Sequence, residues 1–222
     1  MFRPLRLKII IPSLTLFFSS LSFSAPTVIQ INDGDGQPLK NAVVEVLQQN
    51  SSVETPDPNP VIMDQVNKRF LPDLILIQQG QSVLFPNSDN IRHHVYSFSK
   101  AKQFELKLYA GKPKSSIPFE KNGVVIVGCN IHDSMVGSIY VAKNLAMITD
   151  DKGQVSLELP PTTSQISVWH PQQEANPEER EIFNLTDTRQ IGGSGNYLFS
   201  IKTTPPPARD TFGDSFGYDE AN

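Results

Sequence analysis

Val124-Val125-Ile126-Val127-Gly128-Cys129-Asn130-Ile131-His132-Asp133-Ser134-Met135-Val136-Gly137-Ser138-Ile139-Tyr140-Val141 sets two β-branched apolar runs on either side of a short polar segment. A continuous apolar run of this length, bounded by turn formers and rich in Val and Ile, predicts a strand buried on both faces rather than one stripe of a helix. Outward from it the pattern repeats. Short apolar runs fall at 27–31, 41–47, 74–77, 81–85, 94–98, 103–108, 155–159, 165–169 and 197–201. Asp33-Gly34, Gln79-Gly80, Pro86-Asn87, Asn122-Gly123, Lys152-Gly153 and Pro160-Pro161 separate them as turn signals. Beyond residue 25 no capped helical period of eleven or more residues occurs. The chain is therefore expected to be all-β, an antiparallel β-sandwich in which each short strand buries a face against a second sheet.

The composition agrees. Of 222 residues, 38% are hydrophobic and only 19% charged, with 18 Pro, 13 Gly and 13 Phe, a mixture poor in the residues that build long helices. The single cysteine, Cys129, excludes an intramolecular disulfide framework, a zinc site needing two or more cysteines, and a cysteine-ligated iron–sulfur cluster.

Arg3, Arg6 and Lys8 precede an uncharged run over 9–25, the pattern of a secretory signal peptide cut after Ala25; an uncleaved anchor is the alternative. Removing those three bases leaves 16 basic against 23 acidic residues, a net charge of −7, with acid concentrated at 174–181 and 210–220. So acidic a chain is unsuited to nucleic acid, and no later segment has the length and apolarity of a membrane span. The expected location is the periplasm. Polar, proline-bearing 49–60 predicts a long loop, and 203–222, which opens with Pro205-Pro206-Pro207, a disordered tail.

The chemistry concentrates at Cys129, His132 and Met135, a C-x2-H-x2-M loop between strands. Thiolate, imidazole and thioether form a soft donor set that suits copper cycling between Cu(I) and Cu(II), and two histidines with one cysteine and a weak axial methionine is the electron-transfer arrangement. A second imidazole is needed, and His93 or His94 can supply it from the start of an upstream strand. Asn87 and Asp89 read as turn formers, Arg92 and Asp133 as solvated neighbours, Trp169 as core and His170 as a surface residue. No Ser-His-Asp set, phosphate-cradling glycine loop or metalloprotease pair is present, so the chain is not expected to be an enzyme.

Phe70-Leu71-Pro72, Gly80, Val83-Leu84-Phe85, Asn87-Ser88-Asp89, His93-His94-Val95 and the 129–135 loop together resemble the cupredoxin family. The ligand-loop spacing is similar to that of amicyanin, and its wording resembles proteins described as methylamine utilization proteins or plastocyanin-like periplasmic proteins. The resemblance covers about 63–143. It implies a Greek-key sandwich and one type 1 (blue) copper ion, held by Cys129, His132, an axial Met135 and His93, since the family's first histidine stands just before an Asn-Val pair. His94 then occupies the position of the Asn that braces the cysteine loop. The implied role is one-electron transfer with a transient redox protein partner, by a monomer whose acidic surface favours a basic patch. Copper storage or delivery, and a binding module with a vestigial copper site, are the alternatives.

The flanks resemble a carboxypeptidase-regulatory-like, transthyretin-like sandwich, on Val28-Ile29-Gln30-Ile31-Asn32-Asp33-Gly34 and Asp151-Lys152-Gly153-Gln154-Val155. The expected organisation is a split second β-sandwich, 26–62 plus 144–202, hosting the 63–143 cupredoxin domain as an insertion. One enlarged sandwich is the competing arrangement.

Overall fold

The computed structural model describes residues 26–47, 56–160, 162–187, 190–191 and 195–204. The expected leader, most of the 49–60 loop and the 205–222 part of the tail lie outside these residues. Two strands come first, β1 (Thr27–Asn32) and β2 (Val43–Leu47). Ten follow in the middle third: β3 (Val61–Ile62), β4 (Asp64–Val66), β5 (Arg69–Leu71), β6 (Leu74–Gln78), β7 (Ser82–Leu84), β8 (His93–Ser97), β9 (Phe104–Tyr109), β10 (Ile117–Pro118), β11 (Gly123–Cys129) and β12 (His132–Ala142). The chain ends with β13 (Ala146–Ile148), β14 (Gln154–Leu157), β15 (Gln165–Trp169), β16 (Glu181–Asn184), β17 (Gln190–Ile191) and β18 (Asn196–Ser200). The fold is all-β, and no helix among the described residues is long and apolar enough to cross a membrane.

The strands sort by segment. The flanking strands form two sheets, β14-β1-β18-β17 and β13-β2-β15-β16; the middle strands form β6-β12-β11-β8-β9, β10-β7-β3 and the β4-β5 hairpin. Among the described residues, no sheet mixes the two sets. The antiparallel sandwich expected from the sequence is the rule, with three parallel pairs within it, β1/β18, β6/β12 and β3/β7. In each case the partners are far apart in the chain, so a crossover rather than a hairpin brings them together.

Alternation along the strands stacks four layers. Ile29, Val44, Val46, Ile166, Val168 and Phe199 fill the space between the two flanking sheets. Ile75, Ile77, Val125, Val127, Ile139 and Val141 fill the middle sandwich. The opposite faces of the same strands meet in a seam of Val43, Leu74, Val124, Tyr140, Ala142 and Trp169. This is why 124–127 and 139–142 carry no polar alternation: both faces are covered. Trp169 is fully buried, 6.0 Å from the Tyr140 ring, and its Nε1–H donates to the Pro177 carbonyl at 2.9 Å.

Among the described residues, the seam buries one carboxylate. Glu45, in the middle of β2, is 0% exposed. Its Oε1 accepts from the backbone N–H groups of Lys143 and Asn144 at 2.9 Å each and from Asn144 Nδ2 at 3.1 Å. Its Oε2 accepts from Tyr140 Oη at 2.8 Å and Arg180 Nη1 at 2.9 Å. Burial, and then the charge of Glu45, push the Tyr140 hydroxyl well above its ordinary value, so it stays a donor.

Candidate metal centre

β11 and β12 form a tight hairpin whose two-residue turn is Asn130-Ile131, so that Cys129 pairs directly with His132. The register then jumps, because Gly128 pairs with Val136 and residues 133–135 are left over. Such an irregularity re-aims side chains at the end of a ladder. Asp133 and Ser134 point outward, whereas Met135 is fully buried in the same apolar cluster as Cys129. On the other side of β11, β8 pairs Val95 with Cys129 and Tyr96 with Gly128. A Cβ on Gly128 would lie 3.1 Å from the Tyr96 ring, so glycine lets the ring close over the backbone next to the cysteine.

Three donor atoms converge at this corner. Cys129 Sγ lies 3.6 Å from His93 Nδ1 and 3.6 Å from His132 Nδ1, and all three atoms lie within 4.8 Å of one another. Cys129 is 3% exposed and His93 0%. A metal about 2.0 Å from each nitrogen and about 2.3 Å from sulfur, with donors about 120° apart, would set sulfur and nitrogen about 3.7 Å from each other. The observed spacing has that size, and the donor types suit copper. The residues present therefore fit such an ion.

His94 faces elsewhere. Its Nε2 lies 2.9 Å from Glu105 Oε1, out of line for a hydrogen bond, and its carbonyl accepts from the Asn130 N–H at 3.1 Å. Of the two candidate imidazoles, His93 is the one aimed at the thiol.

The loop before His93 contributes more than turns. Asn87, 3% exposed, donates through Nδ2 to the carbonyls of Ile91 at 2.9 Å and Tyr109 at 2.8 Å and accepts from the Asp89 N–H at 3.1 Å. Asp89 Oδ2 sits 2.6 Å from His93 Nε2 and accepts from the Lys68 N–H at 2.9 Å, while Oδ1 accepts from the Asn67 N–H. Burial alone would raise the Asp89 carboxyl, but the Lys68 N–H, His93 and the Asn67 N–H together hold it below its ordinary value. Burial, then the charges of His93 and Lys68, also lower His132. The first keeps Asp89 an acceptor for His93 Nε2, and the second favours the neutral His132 ring. By sequence Asp89 reads as a turn former only; its spacing, four residues before a candidate ligand histidine, is the available sign.

Arg92 and Asp133 are exposed, as expected. His170 is not: it is 5% exposed and paired at both ring nitrogens, a correction that follows from β15 being an inner strand whose exit is covered by the Lys40 turn. Outside the cluster, Ile131 and Val136 are 49% and 47% exposed beside His132. A groove of about 530 Å³ lined by His94, Tyr96, Phe98, Phe104 and Asn130 runs along the outer face of β8.

No protein-family model and no curated protein sequence matches this chain. Among solved structures it is similar to the Cu-containing nitrite reductase from Thermus scotoductus SA-01 (25% identity, TM-score 0.37), over 43% of this chain and 25% of that one. The chain thus spans a quarter of the reductase's length. It is also similar to a purple cupredoxin from Nitrosopumilus maritimus (23% identity, TM-score 0.33), over 38% of this chain and 99% of that one. A third similar structure is a reduced, Cu(I) form of an amicyanin variant (18% identity, TM-score 0.33, 44% of this chain and 97% of that one). These overlaps leave more than half of the chain unmatched, and the functional reading rests on the geometry of the site itself.

Proposed function

We propose that the chain is a type 1 copper protein that carries single electrons between redox partners outside the cytoplasm. The observation that carries this reading is the convergence of one buried sulfur and two imidazole Nδ1 atoms at trigonal spacing. His93, Cys129 and His132 would hold the ion, with Met135 as a weaker fourth donor. When bound, copper supplies a one-electron couple between Cu(II) and Cu(I).

The chain's own residues do the rest. Cys129 gives a thiolate through which the electron couples. The β8, β11 and β12 backbones fix the donors from three directions, so little rearrangement accompanies a change of valence. Phe70, Phe85, Val95 and Val127, all fully buried in the cluster containing Cys129, keep water from the sulfur side. Met135, buried in the same cluster as Cys129, would be a fourth donor and would leave no open position for a substrate, which favours transfer over catalysis. The exposed Ile131 and Val136 form a small apolar rim around His132, suited to a brief, wet encounter with a partner. The segregation of sheets supports an organisation in which 63–143 is inserted into a sandwich made of 26–62 and 144–202.

The visible spectrum of copper-loaded protein tests the reading. An intense thiolate-to-copper band should appear, bleach on reduction and return on reoxidation with copper retained. Cys129→Ser should abolish it while leaving the far-ultraviolet circular dichroism unchanged. Copper uptake with no such band, or a band that survives Cys129→Ser, overturns the assignment.

A further inference from the structure

We propose that Asp89, clasped by the Asn67-Lys68 turn, is a positioning residue that fixes the ring of His93 and biases the bound copper toward Cu(II). The inference rests on the copper reading above and goes beyond it.

The argument begins in the β4-β5 hairpin. Its two-residue turn, Asn67-Lys68, has φ of +52° and +57°, left-handed at both positions without a glycine at either. A turn of this kind normally carries Asn-Gly or Asp-Gly, because a side chain with φ above zero is strained at the second position. The strain has a visible compensation, since the left-handed pair turns two successive backbone N–H groups toward one point and the Asp89 carboxylate sits there. Consecutive N–H groups so arranged form an anion-binding concavity.

With an N–H arriving at each oxygen, the carboxylate is an acceptor. The atom 2.6 Å from it, His93 Nε2, must then be the one that carries hydrogen. A neutral imidazole protonated at Nε2 presents its lone pair at Nδ1, and Nδ1 is the atom 3.6 Å from Cys129 Sγ. The relay thus runs from a hairpin turn through one carboxylate to the orientation and tautomer of one ring. His132 has no such partner among the carboxylates described, which makes the two imidazoles chemically unequal.

An anion on the far nitrogen makes an imidazole a stronger donor, and such outer partners are typically worth about 10- to 100-fold in metal affinity. The added negative charge favours the more positive of the two valences. The hydrogen stays on Nε2 in both states, so no proton moves with the electron, which the redox partner alone supplies or removes.

The experiment compares wild-type and Asp89→Asn holoprotein by spectroelectrochemical titration. The neutral amide should shift the Cu(II)/Cu(I) equilibrium about tenfold toward Cu(I), a rise of about 59 mV for one electron, and weaken Cu(II) binding relative to Cu(I). A second measurement needs no substitution: nitrogen NMR of the metal-free wild-type protein should place the His93 proton on Nε2. A thiolate band in both proteins with equilibria within twofold of each other overturns the role of Asp89 and leaves the copper assignment standing. A His93 proton on Nδ1 overturns the positioning, whether or not Asp89→Asn folds. No thiolate band in the wild type overturns the copper reading and the valence bias with it.

Discussion

Of the polar clusters buried among the described residues, two are finished to different degrees. At the seam, Glu45 meets four protein groups that supply five hydrogen bonds and a countercharge, so every oxygen has its donors. At the β11-β12 corner, one thiol faces two imidazole nitrogens at equal distance. A neutral thiol has a single hydrogen and can satisfy only one of them. The seam is complete as protein. At the corner the three donor atoms lie at spacings that a trigonal metal ion would fit. Burial of polar groups by itself marks no function; burial with donors and acceptors that do not balance does.

The contrast is broken most severely at the seam. Glu45→Ala takes the Glu45 acceptor from two backbone N–H groups, one side-chain amide and the Tyr140 hydroxyl, and the countercharge from Arg180. The expected loss is about 3–5 kcal/mol, the range for removing one partner of a buried pair, read as a lower midpoint in urea unfolding. The copper spectrum of the fraction that remains folded should not change, because the seam takes no part in metal binding. A loss below about 1 kcal/mol would show that the carboxylate is dispensable.

The next test acts on the other cluster alone. Saturating copper binds the folded site, and at a concentration 100-fold above Kd it should add about 2.7 kcal/mol to unfolding free energy. Cys129→Ser should gain little, since the ligand that distinguishes the site is gone. Equal stabilisation of both proteins would place copper elsewhere on the chain.

How much of this was legible depended on what the neighbours contribute. The apolar runs of 27–31, 74–77 and 165–169 emerged as β1, β6 and β15 with ends shifted by a residue at most, because hydrophobic periodicity states burial directly. β12 was expected only over 138–141, yet it starts at His132, since Asp133, Ser134 and Gly137 hide a strand whose first half is half-solvated and interrupted. β4 and β5 carried no turn signal, because Asn67-Lys68 adopts left-handed backbone without glycine and is supported by a side chain 21 residues away. Nothing in Val43-Val44-Glu45-Val46 signals the role of Glu45, whose partners Tyr140, Asn144 and Arg180 lie 95 to 135 residues on. The trio of His93, Cys129 and His132 was visible because soft donors are few in this chain. The carboxylate behind His93 was not, because Asp is common in loops and only the fold shows what it touches.

The smallest effect distinguishes a third buried polar group that resembles the seam. His170 donates from Nε2 to the Lys40 carbonyl at 3.1 Å and accepts the Gln172 N–H at Nδ1, also at 3.1 Å. Burial, only partly opposed by the Lys40 carbonyl, holds its pKa below the ordinary imidazole value. Protonation would set an added Nδ1–H against the Gln172 N–H, so the neutral ring is the form the fold selects. The unfolded chain therefore takes up the proton first as pH falls. Stability from this group is full above the unfolded value near pH 6.5 and is lost as pH falls toward the folded one, with a slope of at most about 1.4 kcal/mol per pH unit for one proton. His170→Gln keeps a donor for Lys40 and an acceptor for Gln172 but cannot titrate. The difference between wild type and variant, measured by urea unfolding of the metal-free proteins from pH 8 to pH 5, removes the background of the other histidines. Wild type should lose stability relative to His170→Gln on the acid side; a flat difference would mean that water reaches the ring and that the Lys40 turn opens in solution.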